Sequence, residues 1–375
     1  MFGNLSHLAL QQYWYVIVAL LGSLLVFLFF VQGGQTFLFS IGKSENERTI
    51  LVNVLGRKWE FTFTTLVTFG GAFFASFPLF YATSFGGAYW VWIIILFAFV
   101  IQAVSYEFRT KASNFLGKKT YETFLFVNGM AGTFLIGVAV ATFFSGSQFA
   151  LDEMNSVTWQ TRARGLEAVF SVFNLSLGFT VFFLARVLGL LYFLNNIDNN
   201  NIIQRTKKQL LYNVIPFVLF FLLFTVLLML RDGYAVNPDT GEVFMEPYKY
   251  FNNLVQMPLV LVIFLGGVMM VLGGILTSLL RDYSNGIWFA GPGTVLVVFS
   301  LFMLAGFNNT AFYPSAYDLQ SSLTIQNASS SHYTLVSMSY VSMFVPFIFA
   351  YIWFAWRSLN RKKVTEEEMK EDAHY

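Results

Sequence analysis

No cysteine occurs in the 375 residues, and histidine occurs only three times, at His7, His332 and His374. The first absence excludes disulfides, thiolate metal sites, covalently attached c-type haem and iron–sulfur clusters within this chain. None of the three histidines falls within a long apolar run, which argues against a His-ligated haem or metal inside it. Charge is scarce too. Asp, Glu, Lys and Arg make up 11% of the residues, against roughly 25% in soluble domains. A net charge of +2 is too small to point to a nucleic-acid partner. The N-terminal stretch lacks basic residues and a small-residue cleavage site, so its apolar run is expected to be a retained anchor rather than a signal peptide.

What fills the chain instead is apolar. Hydrophobic residues are 56% of the total, Phe alone appears 46 times, and the mean hydropathy is +0.62. A bilayer core of about 30 Å needs about 20 helical residues per crossing. Runs of that length predict nine spans, at 13–32, 59–83, 88–107, 121–145, 166–193, 210–230, 255–280, 286–306 and 333–356. The expected fold is therefore an all-α integral membrane protein, one polytopic domain over residues 1–375 ending in a tail at 357–375. Aromatic residues gather at the span ends (Tyr13, Trp14, Tyr15, Trp90, Trp92, Tyr192, Trp353, Trp356), as interfacial belts require.

Lys and Arg set the expected orientation. The first, third, fifth and seventh connections plus the tail hold seventeen of them, the opposite side four, with Arg186 inside a span. The positive-inside rule then puts the N-terminus outside and the C-terminus in the cytoplasm, which an odd number of spans requires. Residues 44–58 mix apolar and charged positions at helical spacing and predict a short helix on the cytoplasmic membrane face. The outward loop at 231–254 carries Asn-Pro and Thr-Gly turn signals and should fold back on itself.

Polar groups at membrane depth are costly, so each is a functional candidate. Gln32 and Gln35 end the first span, Trp59 and Glu60 open the second, and Glu107 ends the third, so all converge near one boundary. Partly desolvated carboxylates bind protons more tightly and can relay them. Glu60 and Glu107 are accordingly the proton-path candidates, with a helix N-terminal role for Glu60 and an ion pair with Arg109 for Glu107 as the plainer readings. Gln32 and Gln35 do not titrate near neutral pH and can only hold water or bond across helices. Arg186, about five residues inside its span, either reaches the interface by extending or pairs with a quinone headgroup, a lipid phosphate or a buried acid. Glycine pairs such as Gly266-Gly267 and Gly273-Gly274 should allow close helix approach, and Pro78, Pro216 and Pro346 should kink their helices.

Three blocks carry a family resemblance: ENERTILVNVLGRKWE, then Gly70–Tyr89 (GGAFFASFPLFYATSFGGAY), then Ser105–Lys111 (SYEFRTK). Together they resemble subunit II of cytochrome bd quinol oxidases, in which E-R-x-x-x-x-N…W-[DE] precedes G-G-A-[LF]-F-A-[AS]-[FW]-P and [FY]-[DE]-[FY]-R-[ST]-K. The resemblance implies nine transmembrane helices as two four-helix bundles plus a peripheral helix. It implies a heterodimer with a haem-bearing subunit I that holds haems b and d and the quinol site. Small accessory subunits, lipid and quinone are the further partners it suggests, in a bacterial cytoplasmic (inner) membrane. This chain would bind no cofactor, would have no catalytic residue, and would stabilise subunit I while lining a proton or oxygen route. The family's D-G-F-D-x-G at the end of the first span is here Gln32-Gly33-Gly34-Gln35, and its Arg near the end of the third is Gln102. The acid after the tryptophan survives as Glu60. A secondary transporter and a purely structural assembly subunit are the alternatives.

Overall fold

The computed structural model describes residues 2–111, 113–281, 283–360 and 363–364. Arg361, Lys362, Lys370, His374 and most of the tail expected at 357–375 lie outside the described residues. Among those described, eight helices are long and apolar enough to cross a membrane, or nine if a broken pair counts as one span. The first span is α1 (His7–Leu28), capped by Ser6, which runs on through a jog at Phe29 as α2 (Phe30–Gln35). A short α3 (Glu45–Gly56) leads into α4 (Trp59–Ser76). Phe77 leaves helical geometry at φ −133°, ψ 65°, because the residue before a proline is pushed out of the α region. Pro78 then opens α5 (Pro78–Phe80), followed by a π-helical turn to Gly86, so the second span is broken at its outer end.

The third and fourth spans are α6 (Tyr89–Phe108) and α7 (Lys118–Ser145). The fifth is α8 (Val172–Asn196), starting six residues later than expected because Leu166–Phe170 winds as a 3-10 turn. The sixth, α9 (Asn200–Leu230), starts ten residues before its apolar run and carries Arg205, Lys207 and Lys208 on helix. Pro216 sits inside α9 without ending it. After α10 (Lys249–Gln256), the seventh and eighth spans are α11 (Pro258–Leu280) and α12 (Ile287–Gly306). The ninth divides into α13 (His332–Ser342) and α14 (Val345–Leu359), with Pro346 in the first turn of α14.

Packing sorts the spans into two groups of four. In the first, α1 lies on α4, α2 on α7 and α6 on α7; in the second, α8 lies on α9, α9 on α11, α11 on α12, and α12 on α8. The groups meet where α1 touches α12 and where α2 and α7 touch α8. The last span stands aside, with α13 against α1 and α4. This is the two-bundle arrangement with a peripheral helix. Only one glycine of each α11 pair faces a neighbour: Cβ atoms on Gly267 and Gly274 would lie 2.8 Å from Gly293 O and 2.5 Å from Gly286 O. On Gly266 and Gly273 they would meet open space.

The even-numbered connections, after the fourth, sixth and eighth spans, interlock into a cap. One hairpin pairs β1 (Phe149–Leu151) with β2 (Val157–Trp159), and a second pairs β3 (Gly233–Val236) with β4 (Val243–Glu246). The second is the predicted fold-back, its turn held by Asn237 Oδ1 accepting from the amides of Asp239 and Thr240. The loop after α12 ties both together, through Ser147 N to Pro314 O and Ala311 N to Tyr234 O, each 3.0 Å.

Candidate functional site at the charged end of the first bundle

At the end opposite this cap, α3 is the organising element. Ser44 and Glu47 close a capping box: Ser44 Oγ accepts from Glu47 N, and Glu47 Oε2 accepts from Ser44 N. Sequence periodicity suggested a helix lying on the membrane face. Its second half instead is buried on every side, Ile50 to Leu55 without exception, so α3 is packed into the protein. Charged residues pin it there. Arg205 Nη1 of α9 donates to Glu47 Oε2 at 2.8 Å and to Ile41 O at 2.7 Å, and Lys118 Nζ of α7 reaches Glu45 Oε1 at 2.7 Å. Burial pushes the Glu47 carboxyl up, but the Arg205 hydrogen bond and the amides of Ser44 and Lys43 outweigh it and hold it below the ordinary glutamate range.

Two fully buried charges, Glu122 and Arg109, belong to one cluster that sequence reasoning missed. Glu122 of α7, fully buried, accepts from two arginines: Arg48 Nε of α3 at 2.8 Å and Arg109 Nη2 at 2.8 Å. Arg109 follows α6, is fully buried, and also donates to Thr49 Oγ1 at 2.9 Å. In the sequence, Glu122 reads as one more polar residue at a span start. Arg109, which the spacing pairs with Glu107, is held by Glu122. Glu107 is half exposed and meets Lys111, one turn on, at 3.7 Å.

Deeper in the bundle lies an amide cluster. Gln32 and Gln35, three apart on α2, share a face, and Gln102 and Tyr106, four apart on α6, share another. Gln32 Nε2 donates to Gln102 Oε1 at 2.9 Å, and Gln35 Nε2 to Tyr106 Oη at 3.1 Å, two rungs between the helices. Trp59 stacks on Tyr106 with ring centres 5.5 Å apart and planes 10° from parallel. Close backbone approach makes this possible: a Cβ on Gly129 of α7 would lie 2.3 Å from Gln32 O, and one on Gly33 1.9 Å from Ala185 O. Gln32 Oε1, Gln35 Oε1, Gln102 Nε2, Trp59 Nε1 and both amide atoms of the nearby α7 residue Asn128 are buried without a partner among the described residues. Such atoms are where a buried polar site accepts further hydrogen bonds. None of these groups titrates near neutral pH, so the cluster can orient water or a ligand but cannot itself carry a proton.

Glu60 does not join it. In the first turn of α4 it projects from the chain's outer surface, on the stripe that carries Thr64, Val67, Thr68 and Gly71, with no hydrogen bond or ion pair to a described residue. Convergence in depth thus brought Gln32, Gln35 and Trp59 together but left Glu60 and Glu107 facing outward. Arg186 lies ten residues before the end of α8, farther in than expected. Its Nε donates to Asn213 Oδ1 at 2.6 Å and its Nη1 to Thr36 Oγ1 at 3.0 Å, while the guanidinium lies 4.2 Å from the centre of the Phe37 ring.

The family profile described as cytochrome bd terminal oxidase subunit II matches residues 10–359. The chain is 28% identical over 373 residues to the cytochrome bd ubiquinol oxidase subunit 2 of Bacillus subtilis, covering 96% of this chain and 98% of that one. It is 27% identical over 356 residues to a probable cytochrome oxidase subunit 2 of Haemophilus influenzae, covering 91% and 92%. To the cytochrome bd-I ubiquinol oxidase subunit 2 of Escherichia coli K12 it is 25% identical over 348 residues, covering 89% of each. Among solved structures, bd oxidase from Geobacillus thermodenitrificans shares the fold at a TM-score of 0.61 and 12% identity, over 94% of this chain and 98% of that one.

Proposed function

The chain belongs to the cytochrome bd terminal oxidase subunit II family, and from that premise we propose that it is the haem-free partner of a haem-bearing subunit I in a bacterial quinol oxidase. The carrying observation is a family match over nearly the whole length, 10–359. The chain is thus a multi-pass membrane component of a respiratory oxidoreductase complex. Its charge distribution supports an inner-membrane orientation with the N-terminus outside and the α3 end in the cytoplasm.

The donors in this chain do not fit a haem site in its bundles. His7 and His332 lie at the capped end, their Nε2 atoms 3.0 Å from Ser330 O and Leu5 O. Among the described residues no group of three or more His, Cys, Asp or Glu could hold a metal. In this reading haems b and d, and the redox steps they carry out, belong to the partner.

In this reading Glu60 takes protons from the cytoplasmic side and passes them across the subunit interface. Two features support it: Glu60 opens α4 at the charged end, and the small and hydroxyl-bearing stripe beside it suits close packing against another helix better than lipid. The amide cluster is neutral, so the route runs along the outer face of α4 rather than through Gln32 and Gln35. Glu107, paired with Lys111, is a secondary candidate, and Arg186 has Nη2 left for a lipid or quinone headgroup. Replacing Glu60 by Gln in the assembled oxidase tests this. Quinol oxidation at saturating oxygen should fall by about 10²-fold or more, the scale of a lost proton-transfer group, with haem content unchanged. Unchanged turnover would leave a structural subunit.

A further inference from the structure

The last span packs on the bundles at its outer half and stands off at its inner half. Between α14 and the bundles lies a cleft of about 850 Å³, within the roughly 300–1,000 Å³ typical of ligand pockets. Its bundle-side wall is apolar, made by Leu24, Phe27 and Leu28 of α1 and Phe61 of α4. Trp356 closes the floor, its ring centre 5.8 Å from those of Phe30 and Phe61 and 6.3 Å from that of Trp288.

The polar end of the cleft combines neutral amides, among them Asn195 and Asn285, with charge of one sign. Arg357 and Lys363 line it and are exposed, and among the described residues no Asp or Glu lines it. Trp356 Nε1 and Asn360 Nδ2, also in the lining, are buried donors without an acceptor among the described residues. Lys58 lies behind the floor, its Nζ 4.5 Å from the centre of the Trp356 ring. Two unsatisfied donors, uncompensated cations and an apolar wall at the boundary depth describe one ligand chemistry. It has a negatively charged, acceptor-rich head and a hydrocarbon tail.

We propose that this cleft is a binding site for one anionic phospholipid of the cytoplasmic leaflet. Its phosphate accepts from Trp356 Nε1 and Asn360 Nδ2 between Arg357 and Lys363, and an acyl chain lies along α1. A neutral zwitterionic lipid brings an ammonium group to the same cations, and a quinone brings no charge for them. The lipid fills the gap under α14 and fastens the last span to the bundles.

Native mass spectrometry of the intact oxidase tests the site. The complex is stripped of loosely held lipid and offered phosphatidylglycerol, phosphatidylcholine or ubiquinone. The wild type should retain one phosphatidylglycerol in preference to either competitor. Retention should weaken roughly fivefold for each cation removed in Arg357→Gln and Lys363→Gln, the scale of one basic residue at an anionic surface. Trp356→Phe, which keeps a ring and removes the N–H, should weaken it with haem bands intact. Equal retention of phosphatidylcholine, displacement by ubiquinone, or variants that hold phosphatidylglycerol as well as the wild type would each overturn the proposal. The wild-type competition stands alone should a variant fail to assemble.

Discussion

At the scale of single residues, the charged end works by pairing what the membrane would otherwise reject. Glu122 is the one acid between two arginines, and Arg109 has no exposed surface. Removing one partner of a buried pair leaves the other uncompensated, at a cost of about 3–5 kcal/mol. Glu122→Gln should therefore lower the unfolding free energy of the assembled complex by about that amount in a denaturant titration; a loss below about 1 kcal/mol would mean that solvent or the partner screens the arginines. Lys58 is the converse, a buried amine whose Nζ has no hydrogen-bond partner among the described residues. Burial first, and the nearby Arg57 second, push it down to about 7. The unfolded chain keeps that proton to about pH 10.4, so stability should rise as pH climbs from about 7 and be least below it. Carbon NMR of reductively methylated protein should show one lysine titrating near neutrality, absent in Lys58→Met. Residue-level legibility was uneven. Gln32 and Gln102 stood out in the sequence as two separate departures from the family pattern. The structure makes them a single one, an amide pair at 2.9 Å where the family places an acid and a base. Glu122 gave no signal, because a glutamate among apolar residues does not announce which distant arginines will meet it.

At the scale of elements, hydropathy was a good guide to where the spans are and a poor one to where helices end. The apolar run of α9 begins near 210, yet the helix begins at Asn200, because Asn199 caps it and its polar first turns pack against α3. Pro78 breaks its span, whereas Pro216 is absorbed within α9, and sequence alone treats the two alike. For α3 the helical period was legible, but its tertiary burial was not, since its four anchors come from α7, α9 and the end of α6. If the capping box starts that helix, Ser44→Ala should cost about 1 kcal/mol and speed amide exchange across residues 45–56 while sparing α4. Exchange that rises equally in both helices would indicate a general loss of packing.

At the scale of the molecule, two four-helix groups and a peripheral span make a scaffold whose charged groups, Arg186 apart, gather toward its ends. Such a body suits a subunit that supports a redox partner. A transporter would need binding groups at its midplane, where these helices carry mostly apolar residues. The haem stoichiometry of the polypeptide tests this most directly. The chain should be produced alone, verified as helical by circular dichroism, and compared with the two-subunit complex by pyridine haemochrome assay. The isolated chain is expected to hold no stoichiometric haem, while the complex shows b- and d-type bands in full. One haem per isolated chain would contradict the account.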